Sequence, residues 1–527
     1  MLKQIRAFAQ QKSRPCALRL ILAFALGAST ALSFAPYSIW IIYPFAMAIA
    51  LWHSRMLSTK ASFYYWLSFG FGCFAIGISW VHVSMDVFGG MPLIASVGLM
   101  ALLALYLALY PALTGLVLSW LTKTCNNDDS DDSATKLSLW RNLALFPALW
   151  TLTEWARGWV MTGFPWLWAG YSQTQGPLKP LASIIGALGL SFVLAMLAGA
   201  LALCFVKRYK SLLFVLLACV LAVWITPTQS NIHPTGENVK VALVQGNIPQ
   251  SMKWEPDALW PTLLKYMDLS REHLDADIII WPEAAIPAPE SMVQEFLDNA
   301  NKVANLNHTS IITGIISHQN NKFYNSLIVL GNHNQKQQTG PDYEGDGSNQ
   351  FKKHHLLPIG EFVPFEALLR PIAPFFNLPM SSFARGEYQQ PNLSALGHKI
   401  APAICYEIAF PEQLRDSVNL GTDILLTVSN DAWFGSSNGP LQHMEIAQMR
   451  AVELGRPLLR ATNNGVTAVV DEHGNITASL PQFETGVLSA TIPLVTGQTW
   501  FAKIGQTPLL IVCGLLVLLG LGRRFKG

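Results

Sequence analysis

The apolar positions divide the chain into two kinds of sequence. Long apolar runs fall near residues 18–35, 37–53, 63–85, 92–121, 143–160, 181–205, 211–226 and 507–522. Each is roughly long enough, allowing for tilt, to cross a bilayer as one helix. Glu154 and Arg157 interrupt the fifth run, but a three-residue spacing lets them pair on one helix face. An interfacial ion pair is the simpler expectation there, and a lipid-headgroup contact the alternative. Between 227 and 505 the pattern changes to short β-type runs: VKVALVQ (239–245), ADIIIWPE (276–283), SIITGII (310–316), SLIVLG (326–331), KIAPAICYE (399–407) and DILLTVSN (423–430). Residues 257–274, 290–306 and 440–456 read as helices, and GVTAVVDEHGNITASL as a hairpin turning near His473–Asn475. Strands alternating with helices predict an α/β domain, sheet inside and helices outside.

Composition agrees with a chain partly in lipid. Of 527 residues, 51% are hydrophobic and only 13% charged, about half the usual globular share. That excludes a disordered chain and a wholly soluble enzyme. A net charge of +2 with no dense basic stripe excludes a dedicated nucleic-acid binder. Counting loop cations on alternate sides gives thirteen against two, the two being Arg157 and Lys179. The positive-inside rule then predicts a cytoplasmic N-terminus, with seven crossings delivering residues 227–505 outside and the last helix returning the C-terminus. The first run has cations before it and small residues after it, like a signal peptide. Further spans follow at once, so it reads as an uncleaved helix. The acidic run Asp128, Asp129, Asp131 and Asp132 reads as a solvated connector.

The chemistry concentrates at strand ends, where functional side chains gather in α/β sheets. IIIWPE ends at Glu283, and IAPAICYE carries Cys405, the one cysteine between 227 and 505. A carboxylate beside a thiol can act as its general base, and a lysine there would stabilise thiolate and oxyanion. FKKHHLLPIGEFVPFE offers Lys352, Lys353, His354, His355 and Glu361 in one loop. Each piece has a plainer reading: Glu283 capping a turn, Lys353 a surface charge, Cys405 an inert buried thiol. Two adjacent histidines suggest metal, but no HExxH or comparable ligand set accompanies them.

Together, WPEAAIP, KHHLLPIGEFVP and AICYE, in that order, resemble the nitrilase superfamily with its Glu–Lys–Cys triad. Within it, seven leading helices, a nitrilase-like domain and one terminal helix resemble the bacterial apolipoprotein N-acyltransferases. VQGNIPQSMKW (244–254), FNLPMSSFARG (376–386), SNDAWFG (429–435) and RATNNGVTAV (460–469) resemble that family too. Phe351 stands where it often has Tyr. The resemblance implies a polytopic membrane protein of eight transmembrane helices with an inserted α/β domain, an α-β-β-α sandwich. Its divisions are a membrane domain (1–226), a periplasmic catalytic domain (227–505) and a terminal helix (506–527).

By the same resemblance Glu283 is the general base, Lys353 the oxyanion lysine and Cys405 the nucleophile. Lys353 is chosen over Lys352 because it stands two places before His355-Leu-Leu-Pro. Glu361 and Glu407 match acidic residues of the pocket, and Trp254 a lipid-contacting position, with packing as the alternative for all three. The implied reaction moves an acyl chain from a phospholipid, phosphatidylethanolamine first among donors, to the α-amine of an S-diacylglyceryl-cysteine apolipoprotein through a thioester. It needs no metal and no organic cofactor. The implied setting is the inner membrane, with the domain in the periplasm, both termini in the cytoplasm and the chain a monomer. Apolar PIAPFFNLPM (371–380) is expected to line or cover a pocket open to the outer leaflet, or to pack on the membrane. Two rivals remain: a membrane-tethered nitrilase or amidase that hydrolyses, and a transporter with an outer binding domain.

Overall fold

The computed structural model describes residues 17–122, 139–226, 231–332, 342–345, 347–358, 360–362, 383–419 and 421–526. Cys16, Cys125, Lys123, Lys136, the acidic run, the segment 371–380 and every cation before Arg19 lie outside the described residues. Two compact units divide the chain. The first takes the described parts of Met1–His82, Ile94–Gln229 and Ile504–Gly527, and the second those of Val83–Leu93 and Ser230–Lys503.

The first unit is helical, with a helix at or beside each apolar run: Ala17–Ser29, Ile42–Ser54, Thr59–Gly77, Leu93–Thr122, Phe146–Arg157, Ala182–Cys204, Tyr209–Ile225 and Thr507–Lys526. Among the described residues, Leu93–Thr122, Lys179–Cys204 and Thr507–Phe525 are long and apolar enough to cross a membrane individually. Thr59–Gly77 and Val81–Phe88 pass the same test only as a pair bent by 55°, so the run expected as one span over 63–85 is broken. Ala17–Ser33 and Tyr209–Ile225 are apolar but shorter. Glu154 and Arg157 do pair, at 3.9 Å, and both are buried. The reason is local: Arg157 Nη1 donates to the Phe164 and Trp166 carbonyls, and Glu154 Oε1 accepts from the Ala169 amide. Each charge meets backbone dipoles that turn inward with it.

The second unit stacks two sheets. Strands β1 (His233–Gln245), β2 (Ile278–Ile280), β3 (Ile286–Pro289), β4 (Ser310–Gln319), β5 (Lys322–Leu330) and β6 (Gln350–Lys352) belong to one. Strands β7 (Leu393–Ala395), β8 (His398–Ile404), β9 (Ile424–Ser429), β10 (Leu458–Thr462), β11 (Ala468–Val470) and β12 (Ile476–Ser479) form the other. β13 (Gly486–Thr496) returns to the first sheet beside β1. The orders are β13-β1-β2-β4-β5-β6, with β3 beside β4, and β12-β11-β10-β9-β8-β7. Period-two alternation assigns the faces. Val239, Val241 and Leu243 of β1 join Ile400, Ile404, Leu426, Val428 and Leu459 of the second sheet in one core. Ala242 and Val244 face the other way, among Leu263, Tyr266, Phe296, Leu297, Ala300 and Ala304 of helices α1 (Leu259–Arg271) and α2 (Gln294–Asn307). Helices α3 (Pro411–Asn419) and α4 (Gly439–Leu454) pack on β8 and β10. The layers run helix, sheet, sheet, helix.

Two expected strands stop short. β2 covers only Ile278–Ile280 of 276–283, and β8 ends at Ile404, where Cys405 opens a 3-10 turn to Ala409. Both chemical motifs therefore leave their sheets before or at their candidate residues, Glu283 and Cys405.

Candidate active site

Glu283 follows β2 on a turn that passes directly over β4. Ala284 has φ +47°, and Gly314 of β4 makes room for the turn. A Cβ at Gly314 would lie 2.4 Å from the Ala284 nitrogen and 2.6 Å from the Pro282 oxygen. Only glycine permits that approach. Lys353 follows β6, where alternation sends Lys352 and Lys353 opposite ways. Lys353 is 1% exposed, whereas Lys352 lies over the Tyr324 ring and pairs with Gln319. Cys405 follows β8 at φ +53°, a left-handed conformation uncommon outside glycine.

These three strand ends converge. Lys353 Nζ is 2.8 Å from Glu361 Oε2 and 3.5 Å from Glu283 Oε1. Asn325 Nδ2, on β5, donates to Glu283 Oε1 at 2.8 Å and to Glu361 Oε1 at 2.9 Å. The Asn430 amide donates to Glu283 Oε2 at 2.9 Å. Both oxygens of the Glu283 carboxylate are thus aimed. Burial alone would discharge Lys353, but Glu361, Glu283 and Cys405 outweigh it and hold the ammonium above its usual range. Burial pushes the Cys405 thiol up, and Glu283 pushes it further, against a smaller opposing pull from Lys353. Cys405 therefore rests as a thiol and needs a base to react.

Glu361 and Glu407 differ in what they hold. Glu361 grips Lys353 and accepts the Leu357 amide at 2.8 Å. Glu407 accepts the amides of Ile404 (2.9 Å), His354 (2.7 Å) and His355 (3.1 Å). Burial raises its pKa, while those amides favour the charged form. It thereby fastens the Lys353 loop to the turn that carries Cys405. His355 adds a second tie, stacked on Phe410 with ring centroids 3.9 Å apart. Burial lowers its imidazole to about 4, so it packs as a neutral ring. Trp254 is partly exposed in the turn 251–254.

Three residues of the site stand outside the sequence reading. Asn325 carries no local signal, since an Asn in an apolar strand shows its purpose only once paired. Asn430 lay within SNDAWFG. Lys253 stands beside Trp254, is 3% exposed and donates to the Glu283 carbonyl at 3.0 Å. Burial pushes its pKa down to about 8, against smaller upward pulls from Glu283 and Cys405. Among the described residues no group of three or more His, Cys, Asp or Glu is placed to hold a metal.

Known proteins are similar to this sequence over all or nearly all of its length. Residues 240–501 match the carbon-nitrogen hydrolase family, and residues 26–200 match the apolipoprotein N-acyltransferase N-terminal domain. The apolipoprotein N-acyltransferase of Shewanella oneidensis is 83% identical over 526 residues, covering 100% of both chains. That of Photobacterium profundum is 50% identical, covering 93% of this chain and 92% of its own. A solved amidase of the nitrilase superfamily from Nesterenkonia AN1 aligns with a TM-score of 0.37 at 16% identity, covering 52% of this chain and 97% of that one. With 83% identity to one relative over the full length and similarity to others over more than nine-tenths of the chain, the chain belongs to the apolipoprotein N-acyltransferase family.

Proposed function

We propose that this apolipoprotein N-acyltransferase works by two half-reactions at the Cys405 thiol. In the first, Glu283 takes the thiol proton as sulfur attacks an ester carbonyl of a phospholipid, phosphatidylethanolamine being the expected donor. Lys353 and backbone N–H groups receive the oxyanion. Glu283 then protonates the departing glycerol oxygen, lysophospholipid leaves, and the acyl group remains as a thioester. In the second, the neutral α-amine of an S-diacylglyceryl-cysteine apolipoprotein attacks that thioester. Glu283 takes the amine proton, an amide forms, and the thiol is restored.

One observation carries this reading: Glu283 is held at both carboxylate oxygens by Asn325, Lys353 and Asn430, in a site where burial pushes the Cys405 thiol up. Such a site suits a base that moves one proton twice, better than a standing thiolate. Glu361 keeps Lys353 charged and in place, Glu407 joins the two site loops, and Trp254 meets acyl chains. No step uses a metal or organic cofactor.

The loop cations support an inner-membrane protein with eight spans, residues 227–505 in the periplasm and both termini in the cytoplasm. The same reading divides the chain into a membrane domain at 1–226, the catalytic domain and a terminal helix at 506–527, acting as a monomer. Acyl chains of many methylenes, each worth about 0.8 kcal/mol in lipid, give an enzyme of two lipid substrates reason to reside there.

The test supplies phosphatidylethanolamine labelled in its acyl chains with a diacylglyceryl-cysteine peptide. Label should move to the peptide amine with matching lysophospholipid. Label appearing instead as free fatty acid would support a membrane-tethered hydrolase.

A further inference from the structure

The Cys405 carbonyl has no part in either half-reaction, yet a chain of buried groups grips it. His443, on α4 and 1% exposed, places Nε2 2.9 Å from that oxygen. A carbonyl can only accept, so Nε2 carries a proton. On the other ring edge, Arg460 Nη2 of β10 lies 3.0 Å from Nδ1, and a guanidinium can only donate. Nδ1 is therefore bare, the ring is neutral, and its single proton faces Cys405. Burial, then Arg460, favours that neutral form. Arg460 is itself fixed by Asp431 Oδ2 at 2.8 Å, and Asp431 Oδ1 accepts from Ser429 Oγ at 2.6 Å and lies 3.4 Å from Nδ1. Burial alone would raise Asp431, but Arg460, His443 and Ser429 together outweigh it and hold the carboxyl well below its usual range.

The grip has a geometric consequence. A trans peptide is planar, with its C=O and N–H pointing opposite ways. Fixing the Cys405 oxygen on His443 therefore turns the Tyr406 N–H away from His443. The residue so constrained is a non-glycine at φ +53°, a conformation that persists only when its surroundings enforce it. Resting on the reading of Cys405 as nucleophile, we propose that Asp431, Arg460 and His443 are positioning residues: by clamping the Cys405 carbonyl they aim the Tyr406 N–H at the oxyanion formed during acyl transfer.

Amide variants of the full-length enzyme separate this role from simple packing. Asn at position 443 can replace Nδ1 as Arg460's acceptor but stops short of Cys405, whereas Gln can reach the carbonyl as Nε2 does. Two rates are read at Cys405 by peptide mass spectrometry: acylation by phosphatidylethanolamine in mixed micelles, and alkylation by iodoacetamide, which forms no oxyanion. His443→Asn should slow acylation about 10²-fold, the cost of losing one oxyanion donor, and change alkylation less than threefold. His443→Gln should acylate within tenfold of the wild type. Equal acylation by the two variants, or parallel loss of both chemistries in His443→Asn, would overturn the clamp. If His443→Asn does not fold, His443→Gln decides: near-normal acylation sustains the proposal, and a hundredfold loss with intact alkylation ends it. A wild-type enzyme that takes no acyl group on Cys405 would instead fault the nucleophile assignment.

Discussion

At the scale of single residues, the site is a set of charges kept in costly places, and each cost marks a role. Cys405→Ala should abolish transfer, since no other cysteine lies between 227 and 505. Glu283→Gln should abolish it too, but for a separable reason. After burial, Glu283 is the main influence raising the thiol pKa, so neutralising it should make iodoacetamide alkylation of Cys405 faster while transfer is lost. Slower alkylation in that variant would contradict the electrostatics. Lys352→Ala should be tolerated and Lys353→Ala should not, because only Lys353 reaches the two carboxylates. Lys253 gives a pH test with a definite sign. Its folded pKa, about 8, lies below the ordinary 10.5, so the unfolded chain binds more protons between those values. Stability should rise with pH through that window, and the charged lysine should weaken the fold most below pH 8. Lys253→Met should raise the melting temperature at pH 7, with a gain that shrinks toward pH 10. A gain independent of pH would point to packing instead.

At the scale of elements, the proposed mechanism makes the sheets scaffolding and puts the chemistry at the ends of β2, β6 and β8. Glu407 is the clearest joint between them. Its carboxylate faces three backbone donors and Gln413 Nε2, and Glu407→Gln would turn an NH2 group toward some of them. A loss of about 1–3 kcal/mol is expected, with transfer falling further as Lys353 shifts; unchanged melting and activity would show that the joint is idle. Much of this framework was legible. Apolar runs of β-branched residues marked β1, β2, β4, β5 and β9, and three amphipathic stretches marked α1, α2 and α4. β13 was not legible, because GVLSATIPLVT is half exposed and takes meaning only from its partner β1. Strand ends were overrun, since WPE and CYE continue an apolar run while the backbone turns out of the sheet. Glu283, Lys353 and Cys405 were candidates by residue type and place near strand ends, and only the family resemblance gave them roles and chose Lys353 over Lys352. Asn325, Lys253 and His443 did not, because a buried amide, lysine or histidine means nothing until folding supplies its partner.

At the scale of the whole molecule, one unit carries helices long and apolar enough to cross a bilayer, and the other, an α/β unit, carries the candidate site. Orientation is tested by fusion. A reporter active only outside the cytoplasm should be active after residue 227 and silent at 130, and the reverse would place the site where outer-leaflet substrates cannot reach it. On the proposed mechanism, Cys405 holds the acyl group between two separate substrates. A ping-pong enzyme given only its first substrate should stop after one turnover. Purified enzyme incubated with phosphatidylethanolamine alone should gain one acyl chain on Cys405, cleavable by neutral hydroxylamine, and release one equivalent of lysophospholipid. Adding a diacylglyceryl-cysteine peptide should discharge that chain into a hydroxylamine-resistant amide, and acetylating the peptide's α-amine should leave the thioester standing. Continuous release of free fatty acid without acceptor, at the rate of transfer, would contradict the account.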